Sequence, residues 1–222
     1  MQIEIKNIAK KFKRHHVLRD INLAVDSGRC IGILGANGSG KSTLLSILAG
    51  IQNCDHGSFL CDGEDLLRSS KKRSQVVGYV PQGTPLIEEL SAKDNLLLWY
   101  SRDEMKKELE AGVLALLGIG DFLNVPVSKM SGGMKKRLSI GCAMSSHPPV
   151  LLLDEPTAAL DLVCKQKIAS YLQHYKENGG ILLLTTHDVL ELQLCDAWYI
   201  IQDGVLVPFH YDGNVQKLVE SL

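Results

Sequence analysis

The sequence predicts an α/β protein whose parallel sheet carries a phosphate-binding loop, and three observations predict it. The runs Cys30-Ile31-Gly32-Ile33-Leu34, Val150-Leu151-Leu152-Leu153 and Ile181-Leu182-Leu183-Leu184 are short and almost wholly apolar, as strands covered on both faces are. Stretches with helical character separate them, the alternation that builds parallel sheets. The first run leads directly into Gly35-Ala36-Asn37-Gly38-Ser39-Gly40-Lys41-Ser42, a full match to G-x-x-x-x-G-K-[ST].

Taken in order, the chain opens with two half-buried strands, marked by Ile3, Ile5 and Ile8 and by Ile21, Leu23 and Val25. Asp62-Gly63 signals a tight turn. Ser91, with Asp94 three residues on, predicts a capped helix running through Leu96-Leu97-Leu98-Trp99. Leu109, Val113, Leu116 and Leu117 predict one helix over 103–117 that stops at Gly118, and another begins at Ser131. A helix over 161–177 ends at Asn178-Gly179-Gly180. Asp203-Gly204 predicts a hairpin between 198–201 and 205–207.

Composition narrows the function. Of 222 residues, 45% are hydrophobic and 22% charged, a globular balance. Twenty-four Lys and Arg face 25 Asp and Glu, for a net charge of -1, which argues against a nucleic-acid partner. No apolar run approaches the ~20 residues that a membrane-spanning helix needs, and Met1–Lys6 does not resemble a secretion signal. Cys30, Cys54, Cys61, Cys142, Cys164 and Cys195 lack metal-site spacing and predict reduced structural thiols in a cytosolic setting. The basic runs Lys71-Lys72-Arg73 and Lys135-Lys136-Arg137 are expected to be solvated faces.

The loop from Gly35 to Ser42 has a definite chemistry. Glycines let backbone N–H groups turn toward phosphate oxygens, and the helix expected to follow at Thr43-Leu44-Leu45-Ser46-Ile47-Leu48 adds its positive end. Lys41 is placed for the terminal phosphates and the Ser42 hydroxyl for Mg²⁺. The apolar strand at Val150 ends in Asp154-Glu155, where ligands of parallel sheets collect. Asp154 can hold Mg²⁺ directly or through water, and Glu155 can orient or deprotonate an attacking water.

With these residues in place, the sequence resembles the ATP-binding subunits of ABC transporters over nearly its whole length. Met130-Ser131-Gly132-Gly133-Met134 looks like the family's signature motif, its most specific mark. Tyr79-Val80-Pro81-Gln82 looks like the Q-loop, Ala158-Ala159-Leu160-Asp161 the D-loop and Thr185-Thr186-His187-Asp188 the H-loop, and Phe12 sits where an adenine-stacking aromatic usually lies. Met130, Met134 and Ala158 depart from the usual Leu, Gln and Ser, without removing the Ser131 hydroxyl, the glycine amides or Asp161.

The resemblance implies a RecA-like P-loop NTPase core with an N-terminal antiparallel β subdomain and an inserted helical subdomain. It places the whole chain, 1–222, in one domain: 1–83 and 146–222 as core with β subdomain, 84–145 as the helical part. It implies ATP and Mg²⁺ as cofactors, with ATP held by Phe12, Gly35, Asn37, Gly38, Ser39, Gly40, Lys41, Ser42 and Thr43. Across a head-to-tail homodimer or heterodimer, ATP would also meet Ser131, Gly132, Gly133 and Asp161. Glu155, His187, Gln82 and Lys41 are the implied catalytic residues, and Ser42, Gln82 and Asp154 the metal ligands. The implied function is ATP hydrolysis that powers a separate transmembrane permease from the cytoplasmic face of the membrane. Met134 followed by Lys135-Lys136-Arg137 resembles the export branch. The alternative is a soluble ABC-type ATPase outside transport.

Overall fold

The computed structural model describes residues 1–214 and Gln216. Two long strands, β1 (Gln2–Phe12) and β2 (His15–Asp26), pair antiparallel, with β4 (His56–Cys61) and β5 (Glu64–Asp65) on the far side of β1. Their alternation is clean: Ile3, Ile5, Ile8, Ile21, Leu23 and Val25 are buried and the residues between are mostly exposed, as one-sided strands require.

Five further strands form the parallel part: β3 (Cys30–Leu34), β6 (Val77–Val80), β7 (Val150–Asp154), β8 (Ile181–Thr185) and β9 (Ala197–Gln202). They lie in the order β9-β3-β8-β7-β6, every neighbouring pair parallel. β10 (Val205–Phe209) returns antiparallel to β9 through Asp203-Gly204 and joins β2, which makes one continuous ten-stranded sheet.

β3, β7 and β8 are buried at every position, because both faces of the sheet are covered. Leu151, Leu153, Leu182 and Leu184 face a core shared with the helices of 92–143. Val150, Leu152, Ile181 and Leu183 face the opposite core, shared with α1 (Lys41–Ala49) and the antiparallel strands. Alternate residues of the same apolar run therefore serve different cores.

Between β6 and β7 the chain is helical: α3 (Ala92–Leu96), α4 (Arg102–Ala111), α5 (Val113–Leu116) and α6 (Gly132–Ala143), while α2 (Ser70–Val76) precedes β6. Two expectations are corrected here. The helix capped by Ser91 stops at Leu96, short of Leu98 and Trp99, which are 59% and 64% exposed. The helix expected over 103–117 is broken at Gly112, whose extended backbone (φ -105°, ψ -156°) ends α4, and Glu108 Oε2 accepts from the Val113 N–H at 2.7 Å to start α5. Glycine is the residue that lets a helix break at least cost.

α7 (Leu162–Glu177) and α8 (Val189–Leu194) flank β8, each started by an aspartate cap, Asp161 and Asp188. All six cysteines are free thiols. No helix among the described residues is long and apolar enough to cross a membrane. Leu152, fully buried at the centre of β7, supplies the stability test: Leu152→Ala is expected to lower the unfolding free energy by about 2–5 kcal/mol in denaturant titrations.

Candidate functional site

Four loops leave the parallel sheet along one edge, because β3, β8, β7 and β6 are neighbours running in the same direction. β3 delivers Gly35–Gly40, β8 delivers Thr186 and His187, β7 delivers Glu155, and β6 delivers Pro81 and Gln82. A cavity of about 410 Å³ opens there, lined by Phe12, Asn37, Gly38, Lys41, Glu155 and their neighbours Val17, Gly40, Ser42, Thr43 and Gln82.

The glycine loop is shaped by backbone conformations that side chains resist. Gly40 has φ 109°, and a Cβ there would lie 2.9 Å from both Leu18 and Val17 side-chain atoms. It also leaves α1 without a side-chain cap, so the helix's first N–H groups face the loop. The Ser39 hydroxyl is buried without a hydrogen-bond partner, and space around Gly38 is open. The Lys41 ammonium donates to the carbonyls of Gly35 at 2.6 Å and Ala36 at 3.1 Å. Burial pulls its pKa down, and Glu155 and Asp154 push it back up. An orphaned hydroxyl, uncapped N–H groups and a buried cation form a donor set suited to phosphate oxygens.

The carboxylates are held by Thr185, which the sequence named only as the first residue of the H-loop run. The Thr185 hydroxyl donates to Asp154 Oδ1 at 2.6 Å and its oxygen accepts from the Glu155 N–H at 3.1 Å. Glu155 itself sits at φ 46°, a left-handed conformation that costs any residue with a Cβ energy and is tolerated where surroundings fix it. Gln82 Nε2 donates to Glu155 Oε2 at 2.9 Å. The motifs of β6, β7 and β8 are thus wired together.

His187 lines a second cavity, of about 240 Å³, with Glu155, Ala158, Ala159, Lys165, Asp188 and Glu191. Burial lowers its pKa, the Lys41 charge lowers it further, and Glu155 opposes them. A neutral imidazole offers one donor and one acceptor. Phe12, at the end of β1, is 43% exposed, and the Lys10 ammonium lies 5.3 Å from its ring centroid.

Ser131, Gly132, Gly133 and Asp161 do not line either cavity. Ser131 caps α6, accepting from the Met134 N–H at 3.2 Å, and Asp161 caps α7, accepting from the Cys164 N–H at 2.9 Å. The two helix starts touch: a Cβ at Gly133 would run into the Cys164 sulfur, so only glycine fits. The basic run after them is corrected: Lys136 is buried and Arg137 donates to the Leu117 carbonyl at 2.8 Å with its guanidinium over Phe122.

The family model for ABC transporters matches residues 18–158. The chain belongs to the ABC transporter ATP-binding family. The cassette is accordingly an ATP-binding ATP hydrolase of the ABC type. The Nod factor export ATP-binding protein I of Sinorhizobium fredii is 34% identical over 99% of this chain and 64% of its own length. The lipopolysaccharide export system ATP-binding protein LptB of Escherichia coli is 32% identical over 91% of this chain and 87% of its own length. A sulfate/thiosulfate import ATP-binding protein of Neisseria meningitidis is 34% identical over 92% of this chain and 60% of its own length. The chain thus spans less than two thirds of two of these relatives. Among solved structures, a dimeric ATP-binding cassette in a post-hydrolysis state with ADP and Pi superposes with TM-score 0.80 at 28% identity, covering 92% of this chain and 96% of that one. A nucleotide-free cassette of an ABC transporter superposes at 0.86, covering 99% and 96%, and at 21% identity it speaks for the fold of this ABC cassette.

Thr185→Val tests the carboxylate support. It leaves Asp154 Oδ1 without its buried donor, so the unfolding free energy is expected to fall by about 1–3 kcal/mol, read by thermal or chemical denaturation alongside the loss in ATP turnover.

Proposed function

We propose that this chain is the energy-coupling subunit of a membrane exporter and works as a head-to-tail pair that sandwiches two ATP molecules. The observation that carries this reading is a separation. Phe12, Gly38, Lys41, Gln82 and Glu155 share one cavity, whereas Ser131-Gly132-Gly133 and Asp161 form a distinct cluster at the starts of α6 and α7. Ser131 and Gly132 are exposed, and the Ser131 hydroxyl proton and the N–H groups behind it can donate to an anion brought by another molecule. A second copy or a related cassette supplies that anion as its bound ATP.

Within one site, Phe12 stacks on the base. Gly35, Asn37, Gly38, Ser39, Gly40, Lys41, Ser42 and Thr43 hold the phosphates. Ser42, Gln82 and Asp154 would be the oxygen donors for Mg²⁺, a hard cation that takes such ligands together with substrate phosphates, and when bound it would supply positive charge against the phosphoryl group. Glu155 orients the attacking water and takes its proton, Gln82 keeps Glu155 in place, and His187 contacts the terminal phosphate. Lys41 and the loop amides stabilise the charge that develops in the transition state.

Residues 84–145 act as the helical part, moved against the core formed by 1–83 and 146–222. The permease engages the groove beside the Gln82 loop, about 460 Å³ and lined by Ile51, Tyr79, Pro81, Leu86, Trp99 and Cys142. Through that contact the chain sits on the cytoplasmic face of the membrane. A balanced net charge argues for no nucleic-acid partner. Export rather than import rests on Met134-Lys135-Lys136-Arg137 and on export proteins among the relatives. An import subunit matches at equal identity, so the co-purifying permease decides direction.

Two variants test the mechanism. Glu155→Gln is expected to cut ATP turnover by about 10²–10⁴-fold while keeping nucleotide affinity and accumulating an ATP-bound dimer in gel filtration; turnover at the wild-type rate would take the base role away from Glu155. Ser131→Ala is expected to impair hydrolysis in the dimer and leave nucleotide affinity of the separated subunit unchanged, measured by calorimetry; equal loss in the separated subunit would sink the sandwich.

A further inference from the structure

Lys136 has no part in the chemistry just described, yet its place is costly. It lies in the middle of α6, 5% exposed, and burying an ammonium is unfavourable unless its donors are satisfied. Its Nζ donates to the carbonyl of Pro81 and to that of Gln82, each at 2.9 Å. Burial draws its pKa down, while Asp154, Glu191 and Glu155 raise it, so the cation also leans on the carboxylate side of the ATP site.

The contacts are to backbone atoms, so Lys136 fixes where residue 82 sits whatever its side chain does. From that anchor the Gln82 amide reaches Glu155 at 2.9 Å. At the N-terminal cap of the same helix stands Ser131, five positions earlier, about 7.5 Å along the axis at 1.5 Å per residue. α6 therefore links the residues offered to a neighbouring molecule with the residue that steadies Glu155.

We propose that Lys136 is a positioning residue that couples the two ATP sites of the pair, so that engagement of the partner's nucleotide by Ser131-Gly132-Gly133 sets the Gln82–Glu155 contact of the same chain. The proposal rests on the sandwich reading above. A shift of α6 on meeting the partner's phosphate moves the ammonium, and with it the two carbonyls it holds. Seated, the tether keeps the Gln82 amide on Glu155. Withdrawn, it lets the amide leave and Glu155 lose its orientation.

The test compares wild type, Lys136→Met, which keeps length without donors, and Lys136→Arg, which keeps charge and donors. Steady-state ATPase is measured against ATP concentration, with melting curves in parallel. Lys136→Met is expected to lower kcat roughly 10- to 100-fold, the scale of a small misplacement near the chemistry. KM should stay within about twofold, the Hill coefficient should fall to one, and Lys136→Arg should restore most of kcat. A folded Met variant with wild-type kcat and cooperativity, or a wild type whose sites show no cooperativity, overturns the proposal. Should the Met variant not fold, hydrogen exchange on the unmutated chain decides: the amides of residues 82–83 and 131–136 should change protection together when ATP is added, and a response at 131–136 alone overturns the coupling. Failure of the wild type to bind or hydrolyse ATP at all would instead remove the site reading, leaving the two failures distinct.

Discussion

Because β6, β7, β8 and β3 run side by side in one direction, the loops that follow them must leave the sheet along one edge, and everything in the site depends on that register. Val80 pairs with Leu153, Asp154 with Thr185, and Thr185 with Ile33. A slip of one residue in any pair would turn a carboxylate into the core and a leucine into the cleft. The Thr185 hydroxyl, between Asp154 and the Glu155 amide, closes the register chemically as well as geometrically. Strands buried on both faces make the arrangement stiff, which suits a site whose catalytic power comes from preset charges and dipoles.

Much of this was legible from the sequence, for a physical reason. A phosphate loop needs contiguous residues: glycines where the backbone must turn, a lysine and a hydroxyl at fixed offsets. The central parallel strands need unbroken apolar runs because both faces are covered. Phe12, Gln82 and Glu155 could be named from their motifs, and the cavity brings them together with Lys41. The helix starts at Ser131 and Asp161 follow from cap chemistry that is local in the chain.

What stayed hidden depends on partners distant in sequence. The Gln82–Glu155 bond joins residues 73 positions apart and the Lys136–Gln82 bond 54 apart. A Lys-Lys-Arg run looks solvated by composition, and only the packing of α6 against the loop after β6 shows that its middle member is buried. Thr185 reads as one more β-branched strand residue until its neighbour on β7 is known. The break at Gly112 was missed because the apolar spacing continues across it.

The seam between the two halves of the sheet carries a consequence of its own. β10 meets β2 through a single residue pair, Val205 with Asp20, reinforced by the Gly204 carbonyl, which accepts from the Arg19 N–H at 2.8 Å. On one side lies the wing that ends in Phe12, on the other the strands that present the glycine loop. Side-chain packing splices that seam as well: Ile5 and Leu23 of the wing lie in one buried cluster with Ile33 and Leu45, so the two halves are fastened by apolar burial far more than by their few shared backbone bonds.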